Sequence, residues 1–229
     1  DDFVDQFTSL STIEAYGDSE TNVGQLGARA REDEELLVRL LRAYGYYDGE
    51  IVREVGPNLI DGSDERPQVR FNVLPGERFT FGTIDLGDLD QAPNYQELRS
   101  AFELKPGDYV DSYDIVRERG DLDTALGNTG YPFAEIDAPE LLIDHARIEG
   151  DLTMPVRPNG RYVFGKVISE EPDFLSGRHL GSIARFEPGD IYNRDDEQDL
   201  RRAIIATGLV SSTTITPVEA QAPANGEPG

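Results

Sequence analysis

The sequence predicts an α+β fold: a tandem array of three β-α-α-β-β units, with the first and last units incomplete. Two observations carry this. Three short markers recur in one order at a period of about 80 residues, the signature of a repeat architecture. Within a period, apolar spacing alternates between the twofold rhythm of a strand and the 3.6-residue rhythm of a helix. The first marker, Arg-[Phe/Tyr]-x-Phe-Gly-x-[Ile/Val], begins at Arg78 and again 83 residues later at Arg161. The second carries Pro-Gly-Asp at residues 106–108 and again at 188–190, 82 residues apart. The third ends a helical stretch on glycine, at Gly45, Gly130 and, more loosely, Gly208, spaced 85 and 78 residues apart. A single glycine-centred match arises easily by chance, whereas three in fixed order do not. Cuts near 77/78 and 160/161 give units 1–77, 78–160 and 161–217. The tail, 218–229, has a composition that cannot bury a face and reads as disordered.

The middle unit is the complete one. Phe79, Phe81, Ile84 and Leu86 fit a strand kinked at Gly82. Tyr95, Leu98 and Phe102 fit a short helix, which Pro106-Gly107-Asp108 breaks. Asp111 or Ser112 can cap a second helix carrying Ile115, Arg119, Leu122 and Leu126 on one stripe. Gly130 occupies the position past the helix end where a left-handed conformation is needed, so Gly130→Val is expected to cost about 1 kcal/mol or more. A strand follows over residues 133–143, then Leu152, Met154 and Val156 alternate as another. The first unit lacks an opening strand: Phe3, Phe7, Leu10 and Ile13 have helical spacing, Leu37, Leu40, Leu41 and Tyr44 form a second helix, and residues 51–55 and 69–73 supply two strands. The third has a first strand through Tyr162, Phe164 and Val167, two helices, and one strand near 210–216. Its closing strand is missing, which predicts instability or pairing with something else. The array is therefore expected to be cut at both ends.

Composition narrows function. The 229 residues carry 21 Lys and Arg against 45 Asp and Glu, a net charge of −24 spread over all three units. Phosphate backbones need clustered cations, so nucleic acid is excluded as a partner. With no Cys there are no disulfides, thiolate metal sites or cysteine nucleophiles. No Gly-x-Ser-x-Gly elbow, Walker loop or His-Glu-x-x-His is present, and His145 and His179 share no ligand spacing. Crowded acids at Asp85, Asp88 and Asp90, and at Asp61, Asp64 and Glu65, do not match the twelve-residue calcium loop and read as solvated carboxylates. The chain is expected to be no enzyme, with no catalytic, metal or cofactor site. No run approaches the roughly 20 apolar residues of a membrane-spanning helix.

The Gly-Tyr ending after helix two and the Arg-aromatic-x-Phe-Gly start of the next unit resemble POTRA domains, the periplasmic arms of the BamA/TamA outer-membrane assembly superfamily. Leu41, Gly45, Tyr46, Tyr47 and Asp48, with the two starts at Arg78 and Arg161, are most similar to the TamA-like branch, which has three such domains. The resemblance covers nearly all of the chain except its tail, and a C-terminal β-barrel is absent. It implies a three-stranded mixed sheet in order 1-3-2 covered by two helices. It also implies a place on the periplasmic face of a Gram-negative outer membrane. Implied partners are unfolded outer-membrane protein clients, autotransporters among them, a TamB-like inner-membrane-anchored subunit, and the protein's own barrel.

In order 1-3-2 the second strand of each unit is an edge with unpaired N–H and C=O groups, to which a client strand can add. The candidate edge residues are Glu50, Ile51, Val52 and Arg53 in the first unit, and Phe133, Ala134, Glu135, Ile136 and Asp137 in the second. The simpler reading of their charges is protection against aggregation. Gly45, Gly130, Gly208, Gly82 and Gly165 are read as structural repeat positions. Arg78 and Arg161 open a unit at a linker, where they either fix the angle between neighbours or pair with surface carboxylates. Alternatives to a client-guiding arm are a BamA-like or two-partner-secretion arm, or a non-catalytic spacer of the cell envelope.

Overall fold

The computed structural model describes residues 2–16, 23–57 and 67–219. The predicted acidic run 61–65 and tail residues 220–229 lie outside them. Among the described residues thirteen helices and strands and one 3-10 helix follow in order. They are α1 (Asp2–Leu10), α2 (Thr12–Tyr16), α3 (Val23–Ala43), β1 (Glu50–Pro57), β2 (Pro67–Leu74), β3 (Thr80–Gly87), a 3-10 turn (Asp88–Gln91), α4 (Tyr95–Ser100), α5 (Ser112–Asn128), β4 (Glu135–Ile136), β5 (Glu140–Asp144), β6 (Glu149–Arg157), α6 (Gly177–Ile183) and α7 (Arg194–Ala206). The fold is α+β. Two interleaved packing units divide the chain: residues 1–84, 105–115 and 141–152 form one, and 85–104, 116–140 and 153–229 the other.

In the first packing unit, β1 and β2 form an antiparallel ribbon, Glu50 opposite Leu74 through Pro57 opposite Pro67. Helix α3 covers one face with Leu36, Leu37, Leu40 and Leu41, all buried, a stripe at helical spacing. The predicted first helix is broken at Ser11. The cause is Asp33 on α3, wholly buried, whose carboxylate accepts from the Thr12 amide at 2.7 Å and the Ser11 hydroxyl at 2.5 Å. It also accepts from the Thr12 hydroxyl at 2.8 Å. A side chain from another helix thus caps α2, satisfying amides that would otherwise end orphaned.

The second sheet runs β3-β6-β4, with β5 also pairing β6. Strand β3 lies parallel to β6: Gly82 faces Glu149 and Asp151, and Gly87 lies against Pro155 and Val156. On β6 Leu152, Met154 and Val156 are buried at alternate positions, so this central strand has one clean core face. In the second packing unit Leu98, Phe102, Leu122, Leu126 and Tyr131 are all at most 1% exposed.

Three expectations are corrected. The strand over 133–143 is two, β4 and β5, with 137–139 outside either; Pro139 has no N–H to offer a ladder. Around Tyr162, Phe164 and Val167 there is only one isolated bridge, Val163 to Ile191. Residues 210–216 form no strand. Tyr162 and Phe164 spend their backbone groups on Gly130, Tyr192 and the turn at 188–190 instead of on a ladder, and residues 210–216 pair with no strand among the described residues.

Candidate functional site

The predicted site residues fall into two sets, sheet edges and the joints where one repeat hands over to the next.

At the first edge, β1 uses one side for β2 and leaves the other unpaired among the described residues. Its side chains alternate. Glu50 and Val52 face solvent. Arg53 turns toward α3 and pairs with Glu34 at 2.6 Å. Glu54 reaches Arg70 across the ribbon at 3.8 Å. Ile51 is half-buried.

At the second edge, the five named residues are already engaged. Phe133 packs edge-on against Tyr162 with centroids 5.0 Å apart, and its carbonyl accepts from Asn159. Ala134 donates its amide to the Tyr131 carbonyl in a turn. Glu135 and Ile136 pair with Arg157 and Val156, and the Ile136 carbonyl accepts from Arg119 at 3.0 Å. Asp137 takes both arms of Arg157, at 2.7 and 2.9 Å. That fork holds the Asp137 carboxyl below its usual range. Further on, β5 pairs with β6 alone among the described residues, and Leu142 on it is 73% exposed. The sequence signal for this was Pro139, which divides the run.

The joints are built twice from the same parts. In the first, α3 ends at Gly45 with φ 85°. A β-carbon there would overlap the Val110 carbonyl, so glycine is required by both conformation and space. The Gly45 carbonyl accepts from the Phe79 amide at 2.9 Å, and the preceding Tyr44 carbonyl accepts from Arg78 Nε at 2.8 Å. Phe79 in turn accepts from Val110, and Phe81 exchanges bonds with Gly107 and Asp108 of the Pro-Gly-Asp turn. The second joint repeats this. Gly130 has φ 109° and accepts from the Tyr162 amide at 2.7 Å, while Arg161 Nε donates to the Thr129 carbonyl at 2.9 Å. Tyr162 accepts from Tyr192, and Phe164 exchanges bonds with Gly189 and Asp190. All three sequence markers thus converge on one object.

Their surroundings differ. Arg78 also meets Asp111 at 3.2 Å and lies over the Tyr109 ring, 4.9 Å from its centroid. Asp111 doubles as the cap of α5, accepting from the Tyr113 amide. In the corresponding place, α7 is capped by neutral Asn193, and Ile191 stands where Tyr109 does. Gly208 also has positive φ, 73°, but no described atom lies within 4 Å of a β-carbon there. Gly82 is crowded by Asp151 and Glu149, whereas Gly165 is open.

Sequence reasoning missed three residues. Asp33 caps α2, as above. Glu118, only 2% exposed, accepts from the Glu103 amide at 2.5 Å and ties down the chain after α4. Arg147 gathers Asp144, Glu149 and Asp151 at 2.6–2.8 Å. Among the described residues no three side chains are grouped to hold a metal, and no helix is long and apolar enough to cross a membrane.

No family model matches the chain. Over 112 residues, 48% of the chain, it is 25% identical to the outer membrane protein assembly factor BamA of Neisseria meningitidis serogroup B, of which the match spans 14%. Among solved structures it is similar to POTRA3-5 of Haemophilus influenzae BamA, at 20% identity and TM-score 0.46, covering 88% of this chain and 76% of that one. It is also similar to POTRA1-3 of Omp85 from Anabaena, at 14% identity and TM-score 0.35, covering 78% and 71%.

Proposed function

We propose that the chain is a POTRA arm: a non-catalytic periplasmic scaffold that presents open strand edges to β-rich clients of an outer-membrane assembly factor. The observation that carries it is the joint formed twice from Gly-aromatic, Arg-aromatic and Pro-Gly-Asp markers, in a chain whose sequence resembles BamA over 112 residues. Capture is by strand addition. The N–H and C=O groups of an edge recognise backbone and not sequence, which suits many unrelated clients. Within the second repeat the capturing edge is β5, and within the first it is the outer side of β1. A barrel and a TamB-like or BamA-type partner complete the assembly. The Arg-aromatic starts favour a TamA-like branch, and the sequence relative a BamA-like one.

The test is a proline scan through Leu141, Leu142 and Ile143, read by crosslinking to an unfolded outer-membrane β-strand peptide. At the position that removes an outward N–H, capture falls while the thermal midpoint holds. Unchanged capture at all three positions removes β5 as the edge. The second reading, an envelope spacer, is favoured by the joints' dense bonding; it predicts no strand-peptide capture at any edge.

A further inference from the structure

We propose that the groove lined by α3, the α1–α2 corner and Tyr113 is a docking site for a short, basic, amphipathic helix of a partner protein. The proposal stands apart from strand capture, since no strand lines this groove. Its volume is about 600 Å³, and its floor is Leu36, Leu40 and Ala43 of α3. Leu10 at the end of α1 and Tyr113 near the start of α5 line it too, and they are 56% and 46% exposed. The floor residues recur at i, i+4 and i+7, so one continuous face of α3 is offered between Glu32 and Ala43. At 1.5 Å per residue that face is roughly 16 Å long, room for about three turns of a second helix.

The groove is set before anything docks. The α1–α2 corner is held to α3 by Asp33, which accepts from Ser11 and Thr12 at 2.5–2.8 Å. The Tyr113 hydroxyl accepts from Gln6 Nε2 at 2.6 Å, and Gln6 Oε1 accepts from the Tyr44 hydroxyl at 3.0 Å. Tyr113 also meets the Tyr44 ring, with centroids 5.6 Å apart. Walls fixed in advance lower the ordering cost of binding.

Backbone and charge together name the occupant. No sheet edge is among the lining residues, so an extended segment would leave its amides and carbonyls unpaired over an apolar floor, whereas a helix satisfies its own. The rim carries Glu32, Glu35 and Arg39, all exposed. Tyr113 also lines an adjoining recess of about 470 Å³ with Asp2, Asp5, Asp111 and Asp114. Asp111 is already paired with Arg78, yet carboxylates still outnumber Arg39, the cation among the lining residues. A helix with leucine-like anchors on one face and lysines or arginines flanking them complements both the floor and the rim. A second copy of a chain with net charge −24 brings the wrong sign.

The test is fluorescence anisotropy of a labelled leucine–lysine peptide of helical period, LKKLLKLLKKLLKL, titrated with the intact chain in 0.15 M NaCl. Its controls are a scrambled peptide with no apolar face and a peptide with every lysine replaced by glutamate. The helical basic peptide is expected to bind at least about tenfold more tightly than either. Glu32→Lys combined with Glu35→Lys weakens it about tenfold. Glu170→Lys combined with Glu171→Lys makes the same change of net charge at exposed residues elsewhere, and leaves binding within about twofold. Leu10→Gln weakens it about three- to tenfold. All five replaced side chains are exposed, so the thermal midpoint holds. A second readout uses the unsubstituted chain: peptide-induced amide NMR shifts are expected at Leu10, Ala43 and Tyr113. No binding, equal binding of the scrambled peptide, equal loss from the two charge reversals, or shifts confined to β1 and β5 each overturn the proposal.

Discussion

The two joints share a backbone and differ in dressing. Each pairs a positive-φ glycine carbonyl with the amide of an aromatic residue, and each seats an arginine on the carbonyl before that glycine. Around the first, the arginine meets a carboxylate and a tyrosine ring, and a histidine–aspartate contact closes the far side. Around the second, the matching positions are Asn193, Ile191 and Phe133, and the ion pair there is Arg194 with Asp123, 2.6 Å apart, between α7 and α5. The comparison teaches that the hydrogen-bonded frame makes the connection, while the ion pairs around it are placed differently at each joint.

The sharpest way to break this comparison is at the glycines. Gly45→Ala should cost about 3 kcal/mol, since a β-carbon there combines left-handed strain with overlap on the Val110 backbone, which cannot move aside cheaply. Gly130→Ala should cost about 2 kcal/mol, because its β-carbon meets the Arg161 side chain at 2.7 Å, and that side chain can shift. Gly208→Ala, with φ 73° and open space, should cost only about 1 kcal/mol. Thermal melts of the three variants give the order; equal losses would leave backbone strain alone as the cause and remove the packing component.

Next in size are the arginines. Arg78→Ala should lose about 1–2 kcal/mol and Arg161→Ala about 1, as only Arg78 has Asp111 within reach. Urea titration in low and high salt checks this, with salt narrowing the gap between them. The smallest effect concerns acid. Asp151 is held below its usual carboxylate range, first by the Thr83 amide and then by Arg147; Asp144 is held low first by the Arg147 side chain. With folded values depressed, their contribution is present above the unfolded value of about 3.9 and is lost as pH falls through the lower folded values. The β5–β6 hairpin should therefore loosen below about pH 4, seen as rising exchange at the Thr83 amide. Asp151→Asn should blunt that response.

Much of the frame was legible in the sequence. Leu152, Met154 and Val156 alternate as a buried strand face, and Leu122 and Leu126 lie on a buried stripe, because burial of one face imposes its period on the residues. The three glycine stops were legible because left-handed backbone strongly favours glycine. The candidate edge was less legible. Phe133 through Asp137 looked free because their partners, Tyr162, Arg119 and Arg157, come from elsewhere in the chain. No motif or spacing in the sequence singles out Asp33 or Glu118. Their burial depends on which amides, of Thr12 and Glu103, fold over them.

Taken alone, the sequence determined the recurring markers, the buried faces of β6 and α5 in the middle unit, and the glycines that follow α3, α5 and α7. These follow from local periodicity and local backbone sterics, which need no partner. Tertiary structure decided where strands actually form, since Tyr162 to Val167 make only one isolated bridge and residues 210–216 form no strand. It also decided that three scattered markers meet as one joint, and that His145 stands 2.6 Å from Asp48, 97 residues away in the chain. Hydrogen bonds and ion pairs between distant segments are set by how the chain returns on itself, and no local rule of the sequence encodes that return.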